Sequence, residues 1–149
     1  MTIRIRDAVN EDREDWLRLW DLYLGFYETA LPAEVTAATW ARILDPMSPV
    51  RMRLAIRNLD VAGFAIHHRH VSTWNIKPKC YLEDLFVEPQ FRGEGIGGAL
   101  IDDLIGICRS DNVASLYWHT RENNATARSL YDSYAKANGF VCYEFPTAG

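Results

Sequence analysis

The sequence predicts an α/β fold, with one mixed, mostly antiparallel sheet and helices on both faces. Three observations carry that expectation. Apolar residues alternate in strand period in several short segments, and they recur at helical spacing in others, notably Trp16 to Tyr27 and Gly95 to Arg109. These segments follow one another in the order β-α-α-β-β-β-α-β-α-β, with no linker, repeat or low-complexity stretch between them. At 149 residues, 48% hydrophobic and 24% charged, the chain is expected to form one domain, 1–149, with a core of ordinary size.

Each element has its own signal. "TIRIRDA" alternates as a strand, and "NEDRED" then offers a cap at Asn10 and acids for a first helical turn. Trp16, Leu19, Trp20, Tyr23 and Tyr27 mark one face of the helix that follows, which Pro32 stops. "AEVTAATWARIL" predicts a shorter helix, and "DPMSPV" a loop. "RMRLAIR" and "VAGFAIHHRH" predict two strands joined through "NLD", and residues 71–79 an irregular crossing. "CYLEDLFV" predicts a strand, Gly95 to Arg109 a helix, "VASLYWHT" a strand, "NNATARSLYDSYAKAN" a helix and "GFVCYEF" a last strand.

Charge and cysteine content narrow the function classes. The net charge of −4 argues against non-specific binding to nucleic acid or an anionic membrane and suits a cationic substrate. Cys80, Cys108 and Cys142 are odd in number and lack CxxC spacing, so they predict reduced thiols in a cytoplasmic protein. The first residues carry charges where a signal peptide needs an apolar run, and no apolar run approaches bilayer length, so no membrane association is expected. His68 and His70 share a strand face, but no third ligand follows by spacing, and no metal site is expected.

"QFRGEGIGGAL" places four glycines between a predicted strand and a predicted helix. A helix start exposes amides that lack internal partners, the helix dipole is positive there, and glycines let a ligand approach the backbone closely. A ligand-free tight connection needs one glycine; four cost conformational entropy with no return. Gly93, Gly95 and Gly98 fit G-x-G-x-x-G, but "EPQ" intervenes after the strand and only two strands remain, which disfavours a dinucleotide fold. No Gly-Lys-Ser/Thr follows, which excludes a nucleoside triphosphate loop.

"RGEGIG", Arg92 to Gly97, resembles the Q/R-x-x-G-x-G/A signature of the GNAT N-acetyltransferases, with "LEDLFV" before it and an apolar helix after it. Asn124, Ala127 and Tyr131 match that family's closing N-x-x-A-x-x-x-Y. "YLEDLFV" is similar to the diamine acetyltransferases, while "DWLRLWDLYLGFYE", "STWN" and "LYW" resemble the yeast histone and D-amino-acid acetyltransferase branch. The resemblance implies a GNAT fold, acetyl-CoA as co-substrate, direct transfer to a primary amine and a homodimer. It also implies that Arg92, Gly93, Glu94, Gly95, Ile96, Gly97 and Gly98 bind the coenzyme diphosphate. In the same reading Leu85, Phe86 and Val87 run beside the pantetheine arm, and Asn124, Ala127 and Tyr131 contact the coenzyme.

Acetyl transfer needs a group that takes a proton from the acceptor ammonium. Glu83 and Asp84 are consecutive acids, so strand alternation places them on opposite faces, and resemblance to the diamine branch selects Glu83 as base. Structural pairing is the competing role for each. Tyr131 matches the family's general acid, but Gly139 follows it by eight residues, one helical turn more than the family pattern, so Tyr134 competes. Asn124 either touches the coenzyme or caps its helix. Tyr27, Glu28, Glu83, Asp84 and Trp74 are candidates for the acceptor site. The acceptor itself is open among a polyamine, an amino-acid-like amine and a protein lysine. A non-catalytic acyl-CoA sensor on the same fold is the rival reading.

Overall fold

Strand alternation becomes a sheet in which each buried face has a helix to cover it. The computed structural model describes residues 2–148. Its strands are β1 (Ile3–Asp7), β2 (Arg51–Arg57), β3 (Asp60–His70), β4 (Lys79–Val87) and β5 (Ser115–Trp118). Its helices are α1 (Arg13–Phe26), α2 (Ala33–Leu44), α3 (Ile96–Ser110) and α4 (Ala125–Tyr131). The strands lie in the order β1-β2-β3-β4-β5. Neighbours are antiparallel except β4 and β5, which α3 connects as a parallel crossover. Asn58, at φ 55, turns β2 into β3, as "NLD" predicted. No helix among the described residues is long and apolar enough to cross a membrane.

The aromatic stripe of α1 is core. Trp16, Leu19 and Trp20 pack with Trp40 and Ile43 of α2 on Leu54, Ile56, Phe64, Ile66 and Phe86 of the sheet. Trp16 stacks on Trp20 and Trp40 at centroid distances of 5.1 and 5.3 Å. Ile96, Leu100, Ile101, Leu104 and Cys108 of α3 are buried on the other face. Truncating Leu19 or Leu104, both fully buried, to alanine costs about 2–5 kcal/mol. The predicted cap at Asn10 is corrected. Residues 10–12 form a 3-10 turn, and Asp12 precedes α1, accepting the Val9 amide at 2.8 Å and the Arg6 guanidinium at 2.7 and 2.8 Å.

The chain divides into two compact units, residues 1–118 and 119–149. In the second, the helix expected through residue 138 ends at Tyr131. Ser133 Oγ donates to the Leu130 carbonyl at 2.5 Å, and such a side-chain bond competes with the helical ladder. The strand expected at "GFVCYEF" does not form. Gly139 is left-handed at φ 79, and residues 140–145 have no ladder partner among the described residues. Phe140, Val141, Tyr143 and Phe145 are 75–93% exposed.

Candidate active site

β4 changes its company halfway along. Lys79 to Leu82 pair with β5, from Ser115 to Trp118, and with β3; beyond Leu82 the ladder to β5 stops. Among the described residues, Leu85, Phe86 and Val87 pair only on the β3 side, opposite Ala65, Phe64 and Gly63. The other edge of the strand has no ladder partner among the described residues where the pantetheine arm is expected. Gly63 sets the spacing there, because a Cβ at that position would meet the Phe86 carbonyl at 2.7 Å and Ile96 Cγ2 at 3.5 Å.

A short 3-10 turn, Pro89–Phe91, leads from β4 into the glycine loop. Gly93 and Gly95 have φ of 83 and 80, and Gly95 immediately precedes α3. A Cβ at either glycine would meet nothing within 4 Å. Protein packing therefore does not demand glycine here; the left-handed backbone does, and it leaves open space beside the first turn of α3. That first turn holds Ile96, Gly97 and Gly98. The Ile96 side chain itself is buried at 1% exposure, so only its backbone faces the loop.

Charged side chains brace this loop. Arg92 Nε donates to the Val87 carbonyl at 3.1 Å, and its guanidinium lies over the rings of Phe86 and Phe26 at 5.5 and 5.8 Å. Glu94 accepts from Arg57 Nε at 2.7 Å. An acid in a loop expected to hold an anion opposes that task, and the ion pair with Arg57 offsets its charge. Glu88, 8% exposed, accepts from Arg18 at 2.6 Å and Gln90 at 3.0 Å. Arg57, Arg18 and Glu88 were missed by sequence reasoning, since pairs 37 and 70 residues apart leave no local signature.

The acids of β4 correct the alternation argument. Ile66 pairs with Asp84 but His67 pairs with Leu82, so Glu83 is the extra residue of a β-bulge. The bulge brings both carboxylates to the α1 side instead of splitting them between faces. Asp84 accepts from the Tyr23 hydroxyl of α1 at 2.8 Å, and Glu83 Oε1 lies 3.0 Å from His68 Nε2. His68 shares its face with Ile66, which is in the α1 core. Burial pushes the Asp84 carboxyl up to about 6; the Tyr23 hydrogen bond opposes this shift, and the neighbouring Glu83 charge reinforces it. Burial, then Asp84, raises the Tyr23 hydroxyl well above the ordinary phenol range.

The other expected residues separate. The Tyr27 ring meets Tyr23 edge-on at 5.1 Å, and Glu28 follows in a left-handed turn at φ 53. Trp74 is 92% exposed in the crossing between β3 and β4, where its amide donates to Ser72 Oγ. In the second unit, Asn124 Oδ1 accepts the Ala127 amide at 3.3 Å and caps α4. Tyr131 is the last residue of α4, and its carbonyl accepts from the amides of Tyr134 and Ala135. Tyr23 and His68 were missed as partners of these acids: Tyr23 reads as part of the core stripe, and His68 meets Glu83 only through the bulge.

Comparison with known proteins agrees with this geometry. The Acetyltransferase (GNAT) family matches residues 13–136. The chain is 32% identical to the D-amino-acid N-acetyltransferase HPA3 of Saccharomyces cerevisiae over 90% of this chain and 84% of that protein. It is 29% identical to the thialysine N-epsilon-acetyltransferase of Bos taurus, over 57% of this chain and 52% of that protein. The crystal structure of a possible acetyltransferase from Clostridium difficile 630 superposes with a TM-score of 0.85 over 100% of both chains at 17% identity, a likeness of fold. With its strand, glycine loop and helix in the family's order, the chain belongs to the GNAT acetyltransferase family and is an acyltransferase.

Proposed function

We propose that the protein transfers acetyl from acetyl-CoA directly to the primary amine of a small, amino-acid-like or cationic acceptor. The observation that carries this reading is the pair of left-handed glycines, Gly93 and Gly95, whose absent Cβ atoms border open space at the start of α3. A diphosphate there would accept backbone amides at the positive end of the helix dipole. The open edge of β4 from Glu83 to Val87 suits an extended amide-bearing arm and offers donors to a developing oxyanion. Removing one such donor costs about 2.7–4 kcal/mol in other enzymes.

The acceptor arrives as an ammonium ion near neutral pH. Glu83 takes its proton, the freed lone pair attacks the thioester carbonyl, and the thiolate departs. Asp84, beside it on the same face, adds negative charge that draws the ammonium in. By family likeness Tyr131 supplies the proton to the thiolate, with Tyr134 as its competitor; Tyr131→Phe and Tyr134→Phe variants assayed for thiol release separate them. The names of HPA3 and the thialysine enzyme support an amino-acid-like acceptor. A panel of D- and L-amino acids, lysine analogues, polyamines and lysine peptides, read by thiol release, tests the acceptor. No transfer to any of these amines defeats the enzyme reading in favour of a coenzyme sensor.

Single-domain function, a cytoplasmic setting and a homodimer belong to the same proposal. Cys80, Cys108 and Cys142 are free, which suits a reducing compartment and is checked by locating tagged protein. The exposed Phe140, Val141, Tyr143 and Phe145 supply apolar surface for a second copy. Light scattering that returns one chain's mass, 17.1 kDa, defeats the dimer.

A further inference from the structure

We propose that His68 is a positioning residue that aims Glu83 at the acceptor amine; the inference rests on the reading of Glu83 as base. Nothing in the strand itself aims the Glu83 carboxylate. Its side chain is 52% exposed, it is flexible, and as the extra residue of the bulge it lies outside the regular β3–β4 pairing. Asp84, in contrast, is fixed by the hydroxyl of the half-buried Tyr23 of α1. What Glu83 has is the 3.0 Å contact from Oε1 to His68 Nε2.

His68 can hold a neighbour in place because it is held itself. Its ring meets Tyr81 edge-on at 5.5 Å and 88°. Tyr81 stacks on Tyr117 of β5 at 5.0 Å and 20°. The Tyr117 hydroxyl bonds His70 Nε2 at 2.8 Å, and the Lys79 ammonium sits 4.7 Å from the Tyr117 ring centroid. These side chains form a row across three strands on the face that carries the two acids. The row ends at Glu83, where the ladder to β5 also ends.

The chemistry follows from which oxygen is engaged. With His68 donating Nε2–H to Oε1, the second carboxylate oxygen is left for the acceptor. The ammonium N–H bond breaks, the O–H bond forms on Oε2, and the nitrogen lone pair is freed for attack. His68 exchanges no proton with the substrate; it restricts the rotamers of the group that does.

The test is a double-mutant cycle between positions 68 and 83, read as kcat, KM for acetyl-CoA and thermal midpoint. His68→Ala is expected to lower kcat about tenfold, the loss of one hydrogen bond to a charged group, with acetyl-CoA KM and thermal midpoint unchanged. His68→Gln, which keeps a donor, is expected to recover most of that loss. In a Glu83→Gln background the His68→Ala change is expected to cost nothing further. Wild-type kcat in His68→Ala, or the same loss in both backgrounds, overturns the proposal and leaves Glu83 as base. Wild-type kcat in Glu83→Gln alone overturns the base reading and this inference with it.

Discussion

Where β3 and β4 pair, the two faces of the sheet carry similar chemical groups in opposite conditions. On the α3 side, His67, Cys80 and Cys108 are 6%, 1% and 6% exposed, and Cys80 Sγ lies 3.8 Å from His67 Nδ1. Burial pushes the His67 imidazole down to about 4 and the Cys80 thiol up to about 12. Both are neutral at pH 7, and a neutral thiol is a poor nucleophile. On the α1 side, His68 and Glu83 are part-exposed and Asp84 is raised only to about 6. A histidine beside a cysteine is the more suggestive pair in a sequence, yet the face proposed to react is the one that carries the bulge.

The largest effect expected from this contrast separates the faces by turnover. Glu83→Gln should lower kcat about 10²- to 10⁴-fold, the usual worth of a general base, with acetyl-CoA binding intact. Cys80→Ala should leave kcat near wild type while lowering the thermal midpoint. A Cys80→Ala enzyme without turnover would move the chemistry to the α3 face.

Acid titration should sharpen the contrast through stability. The native Asp84 pKa of about 6 is above its unfolded value of 3.8. Between those values the folded state holds more protons, and this group's contribution falls as pH rises. The native His67 pKa of about 4 is below its unfolded value of 6.5. The unfolded state then holds more protons, and this contribution is present above pH 6.5 and lost as pH falls toward 4. Each shift of about two units corresponds to roughly 3 kcal/mol, with opposite sign. The contributions of these two groups should nearly cancel between pH 4 and 6. Asp84→Asn should stabilise the protein at pH 7 and expose the acid-sensitive slope of His67. His67→Leu should expose the reverse slope. Chemical denaturation of the three proteins at pH 4, 5, 6 and 7 checks both, and parallel curves would contradict the assignment.

A smaller effect is expected at the glycine loop. Gly95→Ala places a Cβ on a left-handed residue at a cost of about 1–2 kcal/mol, where no neighbour would clash. It should therefore fold, with weakened acetyl-CoA binding.

Much of this was legible in the sequence because it is periodic and local. The strands at 3–7 and 51–57, the stripe Trp16 to Tyr23 and the glycines before α3 each declare themselves within a dozen residues. The bulge does not. No glycine or proline marks Glu83, so strict alternation put Glu83 and Asp84 on opposite faces, and only the pairing with β3 reveals the added residue. Long-range pairs such as Arg57 with Glu94 and Tyr23 with Asp84 depend on the fold as a whole. At "GFVCYEF" the alternation was real but supplied half of what a strand needs, since a ladder partner is not written in a segment's own pattern.

The most direct test of the central claim is titration calorimetry of acetyl-CoA into the wild-type protein and a Gly95→Val variant. Saturable uptake by the wild type, sharply weakened in the variant, is the predicted result. No heat of binding to the wild type at millimolar acetyl-CoA would contradict the coenzyme site and every catalytic role built on it.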